Sequence, residues 1–490
     1  MNRAWVNYTP VTIQVPTGAK QASRGLGSGS KYRIVSIRLN CWRERQDLAR
    51  YICVVAPVIY IHNINGSLAC DIKAINKPIS GCNFIMSNQP TATRPTERST
   101  GIDNLRVFIT LLVLAFHAAL AHTTFAIFDC ANYLTGSTAP IIDNQRWIGF
   151  DIFFAFNNTF FMSLMFFISG LFVYKSLEKK GWQLFLQDRF MRLGIPFIFA
   201  IMILSPLEYY PSYMMTGPTT TGYFAYWREM ILVGPWPCGP LWFVSLLFAF
   251  NLLTAIFYKL IPVNFIGSAT GLIRLSATLL NRPIALFLVL LLATLISYVP
   301  MAWMVPPFRW WMFGPFSLDA SRLFLYPLYF VFGLAVGSYG IDRTVLAFNG
   351  SVARLWLLWL LLSVVAFFWL LAASNKLYAH YTFSEPWLPP EHWFERSCAY
   401  STTCAALSLT FLALFQRFGS WQNPVLESLK ANAYGIYIIH YAILVWSQYA
   451  LLEIQMPAPA KATLVFTITL LASWGIIAAI RRFSFARAII

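Results

Sequence analysis

The feature that most constrains this chain is a succession of apolar runs, each of about 18 to 25 residues, that occupies nearly all of it after about residue 105. As a helix rising about 1.5 Å per residue, a run of that length crosses roughly 30 Å of hydrocarbon. LWLLWLLLSVVAFFWLLAA, from residue 355 onward, is apolar on every face, whereas a membrane barrel alternates apolar and polar residues in short segments. Charged residues make up 11% of the 490 and hydrophobic residues 58%, too few charges to clothe an ordinary soluble enzyme of this size. The patterning predicts an all-α integral membrane protein of about ten transmembrane helices.

The expected spans centre near residues 116, 163, 200, 250, 293, 331, 363, 406, 442 and 471. Loop charge orients them. With the N-terminus cytoplasmic, the even connections and the C-terminus should be basic, and they hold Lys175, Lys179, Lys180, Arg189 and Arg192; Lys259, Arg274 and Arg282; Arg343 and Arg354; Arg417 and Lys430; and Arg481, Arg482 and Arg487. Both termini are thus expected on the cytoplasmic side of a cell inner (plasma) membrane. The opposite connections are longer, rich in Pro, Trp and Tyr, and carry Glu229, Asp319, Glu385, Glu391 and Glu395, the composition of an extracytoplasmic substrate face.

The formal net charge is +17, and residues 1 to 100 hold 13 basic and 4 acidic residues, about +9 of it. The rest collects in short loops, where positive charge reports cytoplasmic orientation, not nucleic-acid binding. Residues 1–99 are expected to be a basic extension without a fold, since ICVVAPVIYI is too short to span and sits too far from Met1 for a signal peptide. Translation starting at Met86 is one reading of it. Residues 100–490 form the expected membrane domain. The eight cysteines show no zinc-type spacing and no disulfide framework.

Span one reads IDNLRVFITLLVLAFHAALAH and carries Arg106 and His117 eleven positions apart. At about 100° per residue that is three turns and about 20° from one face, with roughly 16 Å between them along the axis. An arginine at a span boundary serves equally as an anchor or as a phosphate ligand. A histidine in mid-span must face protein or water, and marks a functional site. Thr100 and Asp103 form a T-x-x-D capping pattern, which predicts a helix start just before Arg106 with Asp103 one turn away to orient the guanidinium.

This R-x10-H arrangement, from Arg106 to His117, resembles the motif on the first helix of the acyltransferase 3 family of membrane-bound O-acyltransferases. The resemblance covers about residues 100 to 485, through MFFISGLFVY, FLQDRFMRLGIPF, GPLWFVSLLF, YFVFGLAVG and NAYGIYIIHYAIL in family order. One departure is Pro240, where glucan-modifying members often carry a histidine. The resemblance implies transfer of an acyl group, acetyl or succinyl, from acyl-CoA to a carbohydrate hydroxyl, with His117 as base and Arg106 positioning the donor. No bound cofactor is implied, and acyl-CoA is a substrate. Arg189 and Arg192 are further candidates for the CoA phosphates. Glu208, Trp242 and His440 are candidates for the acceptor. The alternative reading is a transporter or flippase of a glycan or small anionic substrate, with the same polar residues lining a route and no covalent step.

Overall fold

The computed structural model describes residues 60–64, 67–71, 97–217, 221–260, 281–305, 309–380 and 390–489. Met86, Arg274 and Glu385, named above, lie outside them. The chain divides into two units, Met1–Thr91 and Ala92–Ile490. In the first, β1 (Tyr60–Ile64) pairs antiparallel with β2 (Ser67–Asp71), Tyr60 opposite Asp71 and Ile64 opposite Ser67. The intervening Asn65-Gly66 is the commonest sequence signature of a two-residue hairpin loop. The rest of residues 1–96 lies outside the described set.

The second unit is helical. Its helices are α1 (Glu97–Leu120), α2 (Ile148–Gly170), α3 (Val173–Arg189), α4 (Ile195–Phe199), α5 (Ser205–Met215), α6 (Tyr223–Leu232), α7 (Trp242–Leu260), α8 (Pro283–Met304), α9 (Leu325–Tyr339), α10 (Trp356–His380), α11 (Pro390–Phe418), α12 (Pro424–Ala450) and α13 (Ala458–Ile480). Among the described residues, nine spans are long and apolar enough to cross a membrane, and their positions match nine of the ten expected. The tenth, centred near residue 442, forms as the 27-residue α12. That helix is of spanning length but keeps Asn432, His440 and Gln448 inside the protein, where packing, not lipid, surrounds them.

The only described strands of this unit, β3 (Trp310–Phe313) and β4 (Phe316–Asp319), form a hairpin that folds over the start of α7. Trp310 meets Trp242, and Ser317 Oγ lies 2.7 Å from Cys238 Sγ.

Helix α1 begins at Glu97, so Thr100 and Asp103 lie inside its first turns and do not cap it, contrary to the T-x-x-D expectation. Tertiary contact explains the longer start. Thr100 is buried and accepts from Gln422 Nε2 at 3.4 Å, and Asn104 Nδ2 donates to the carbonyls of Gly419 and Trp421 at 2.7 and 3.0 Å.

Helices α1, α2 and α11 are the most enclosed spans, whereas α10 and α13 turn most of their surface outward, with Leu361, Val365, Phe368 and Leu471 exposed. Exposed leucine is expected where the solvent is lipid. In the interior, backbones approach through small residues. A Cβ on Gly333 would sit 2.0 Å from the Phe167 carbonyl oxygen, and one on Gly170 would sit 2.2 Å from that of Phe330. The Gly333-x-x-x-Gly337 stripe of α9 thus seats its backbone directly on α2, the small-residue packing of membrane helices.

The third span, α3 to α5, is broken by Pro196, Pro206 and Pro211, each of which lacks the N–H that would bond four residues back. Two π-helical turns, Phe190–Gly194 and Ala200–Leu204, precede the first two prolines and make room for their rings. The carbonyls thereby released belong to Arg192, Met202 and Leu207. Each finds an aromatic donor from elsewhere: Tyr434 OH bonds to Arg192 O, Trp227 Nε1 to Met202 O at 2.9 Å, and Trp446 Nε1 to Leu207 O at 2.9 Å. A backbone carbonyl left unpaired in lipid is costly, so these bonds lock the irregular span to α6 and α12. They also fix the position of Glu208.

Candidate active site

Helix α1 ends at Leu120, which leaves its last carbonyls without helical donors. One of them, that of His117, accepts from Gln448 Nε2 on α12 at 3.2 Å. This bond and the α1–α12 packing bring the two histidines together. The His117 ring is 5.7 Å from that of His440 and 4.9 Å, edge on, from that of Tyr441. Phe116 covers another side at 5.2 Å.

His440 is fully buried, with Nδ1 2.6 Å from the Tyr437 carbonyl. A carbonyl oxygen only accepts, so Nδ1 carries the proton and Nε2 presents a bare lone pair. Among the described residues that Nε2 has no hydrogen-bond partner, nor does the buried Nδ1 of His117. The His117 ring as a whole keeps partial exposure. Two unpaired imidazole nitrogens on neighbouring rings are unusual in a packed interior, where polar atoms are normally satisfied.

Glu208 lies on the other side of Tyr441. It is fully buried, and neither carboxylate oxygen has a hydrogen-bond partner or a cation beside it among the described residues. Gly239 makes the approach possible: a Cβ there would meet the Tyr441 ring at 3.2 Å and Glu208 Oε2 at 3.6 Å, and its φ of +44° suits glycine. Tyr437 OH bonds to the Pro240 carbonyl and holds this turn against α12. Outside the spans, Cys238 is buried beside it, and burial pushes its thiol up to about 11, so it is a protonated neighbour and no nucleophile.

Of the residues singled out from sequence, the fold gathers His117, His440 and Glu208 around Tyr441. Arg106 remains on α1 about 16 Å along the axis from His117, where its guanidinium pairs with Asp103 at 3.1 Å, half exposed. Arg189 stacks over Phe185 at 4.9 Å with Nε buried and unpaired, and Arg192 faces Asp188 at 3.6 Å. By the alternation of helix direction these three arginines share one end of the bundle; among the described residues no ion pair joins Arg106 to the partners of the other two. Trp242 stands apart from the histidines, stacked on Tyr326 at 5.3 Å, and reaches them only through Phe243 and Tyr437.

Sequence reasoning passed over Tyr441, Gln448 and Gly239, whose importance lies in what they touch. It also passed over a buried ion pair just beyond the end of α1, Lys461 Nζ to Asp143 Oδ2 at 2.7 Å. A lysine four residues into the apolar run of α13 was the available signal.

The nine apolar spans among the described residues, with a buried cluster of imidazole, phenol and carboxyl groups inside the bundle, define a multi-pass membrane protein with an internal polar site. The family model described as an acyltransferase domain matches residues 99–478, and the chain belongs to the acyltransferase 3 family. It is an acyltransferase. No curated protein and no solved structure matches the chain.

Proposed function

We propose that the protein is an O-acyltransferase of the cell inner membrane that moves an acetyl or succinyl group from acyl-CoA to a carbohydrate hydroxyl, on an extracytoplasmic glycan. The observation that carries this reading is the meeting of His117 with His440, Tyr441 and Glu208 inside the bundle, with ring nitrogens and carboxylate oxygens that have no partner among the described residues. Buried polar groups left open are what a site keeps for a ligand.

In this reading His117 takes the proton of the acceptor hydroxyl as its oxygen attacks the thioester carbonyl carbon. The new C–O bond forms as the C–S bond breaks. The CoA thiolate leaves and recovers the proton from the imidazolium. His440, held by its bond to the Tyr437 carbonyl, offers its bare Nε2 to a second hydroxyl of the acceptor. Glu208 takes part in holding the sugar. Arg106, with Arg189 and Arg192 at the same end of the bundle, binds the CoA phosphates, for which the guanidinium fork is suited. The roughly 16 Å from Arg106 to His117 matches the reach of a pantetheine arm. Trp242 lines the path of the acceptor.

The test is CoA release from acetyl-CoA by purified protein in lipid, wild type beside His117→Ala, with crude glycan present. Release by the wild type and none by the variant is expected. Equal release by both removes His117 from the chemistry.

A further inference from the structure

Away from the histidine cluster, a second buried polar group joins four elements. Asp319 at the end of β4 caps a short 3-10 turn, Ala320–Arg322, by accepting from Ser321 N at 3.1 Å. Arg322 then points into the protein. Its Nη1 donates to Asn158 Oδ1 of α2 at 3.0 Å and to Tyr326 OH of α9 at 2.9 Å, and its Nε lies 3.4 Å from Asp319 Oδ2. The guanidinium rests over the Tyr400 ring of α11 at 5.5 Å. Tyr400 stacks on Tyr298 of α8 at 4.2 Å, and the Tyr298 hydroxyl faces a second guanidinium, that of Arg396.

Arg322 is 5% exposed, Arg396 8% and Asp319 2%. Asp319 pairs with Arg322, and among the described residues it makes no ion pair with Arg396. Asp319 is the only acid that pairs with either among the described residues, for Glu395, next to Arg396 in sequence, turns outward to Lys376 at 3.0 Å. Nε and Nη1 of Arg396 are buried without an acceptor among the described residues. An uncompensated guanidinium in so apolar a setting is expensive, and its planar fork of donors fits a carboxylate or phosphate. Tyr298, which faces Arg396, is neutral, as are Tyr326, Tyr400 and Asn158 around Arg322.

We propose that Arg396, with Arg322 and Tyr298, forms a binding site for an oxyanion, a carboxylate or phosphate group, between α8, α9 and α11. Arg322 opens α9 and Arg396 lies in the second turn of α11, so by helix alternation the site belongs to the end of the bundle where α1 finishes, opposite Arg106. It is distinct from the CoA phosphates' end and from the cluster around Tyr441. An acidic sugar, free phosphate or the headgroup of an anionic lipid presents the chemistry this site completes.

The experiment is thermal unfolding of the full chain in nanodiscs. One arm uses discs of zwitterionic lipid titrated with inorganic phosphate or glucuronate at constant ionic strength. The other compares discs with and without phosphatidylglycerol. A ligand that binds only the folded state raises Tm in a saturable way. Wild type should show this in at least one arm; a response to phosphate or glucuronate identifies a soluble oxyanion, and a response to phosphatidylglycerol alone identifies a lipid headgroup. Arg396→Gln should lose the response in either case. With the lone cation gone, that variant should also unfold no lower than wild type in zwitterionic discs without anion. Arg396→Lys, which keeps charge but not the fork, should need about tenfold more anion. The proposal is overturned if wild type shows no saturable response in either arm, or if Arg396→Gln responds as wild type does. It is equally overturned if Arg396→Gln and Arg396→Lys both unfold well below wild type without anion, the behaviour of a guanidinium that serves packing alone.

Discussion

The imidazole rings of His117 and His440 lie 5.7 Å apart, although one sits near the end of α1 and the other in the middle of α12, with most of the chain between them. Gln448, two turns beyond His440, ties the helices at that level by bonding to the His117 carbonyl. The pair is the centre of the proposed chemistry, and the variants that probe it should differ in kind. His117→Ala should lower acyl transfer by about two to four orders of magnitude, the usual contribution of a positioned base, with expression and membrane insertion unchanged. His440→Ala should lower transfer less and raise the KM for the acceptor. Identical kinetics for the two variants would mean that the rings act as one unit.

Arg106 is half exposed and its only ion pair among the described residues is with Asp103, a partner it can exchange for a phosphate. Arg106→Ala should raise the KM for acyl-CoA at least tenfold and leave the acceptor KM unchanged, and Arg106→Lys should recover part of the loss, since a point charge lacks the bidentate fork. Steady-state kinetics with the two substrates varied in turn make the measurement. An effect on the acceptor alone would remove Arg106 from donor binding.

Trp446 supplies the donor that Pro211 denies to the Leu207 carbonyl, one residue before Glu208. Trp446→Phe keeps most of the buried ring surface and removes that bond. An unsatisfied buried carbonyl costs about 1–3 kcal/mol, so Tm should fall by a few degrees. Activity should fall further than stability alone accounts for, because the carboxyl of Glu208 shifts with its backbone. Unchanged Tm and activity would show that the carbonyl is satisfied in some other way.

Lys461 and Asp143 form a buried pair that pins α13 to the segment following α1, and Lys461 also donates to the Leu452 carbonyl at 3.1 Å. Removing one partner leaves the other as an uncompensated buried charge, at a cost of about 3–5 kcal/mol. Lys461→Met or Asp143→Leu alone should therefore unfold at clearly lower denaturant, and the double variant should recover much of the difference. A double variant as unstable as the sum of its parts would contradict this account.

His122, just past the end of α1, is 2% exposed and its Nδ1 lies 2.9 Å from the Gln145 carbonyl. Burial lowers its pKa below the ordinary 6.5, against the raising effects of that bond and of nearby Asp143. Below 6.5 the unfolded chain thus binds more protons than the folded one. The contribution of a neutral His122 to stability is complete above about 6.5 and is lost progressively as pH falls through the lowered value. Tm should drop on acidification from about pH 7.5 to 5.5, and His122→Asn, which retains a donor for the Gln145 carbonyl, should drop less. Parallel pH profiles would remove His122 from this dependence.

The positions of nine spans and the helical nature of α12 were legible in the sequence because lipid imposes a length and an apolarity on each span independently of its neighbours. Arg106 and His117 were legible for a related reason, since helical geometry alone relates two residues on one helix. The family resemblance read from motifs along the chain agrees with the family match over residues 99–478. The meeting of His440, Tyr441 and Glu208 with His117 was not legible. Neither were the aromatic donors that answer three prolines, nor the partners of Lys461 and Arg322. Those relationships depend on which helices lie side by side and at what rotation. That choice is made by close backbone contacts such as Gly333 against Phe167 and by polar groups that must find partners away from water, and both are properties of the assembled bundle. The sequence by itself determined what kind of solvent this chain lives in and where nine of its apolar spans lie among the described residues, whereas only the tertiary structure decided which of its few polar residues face one another.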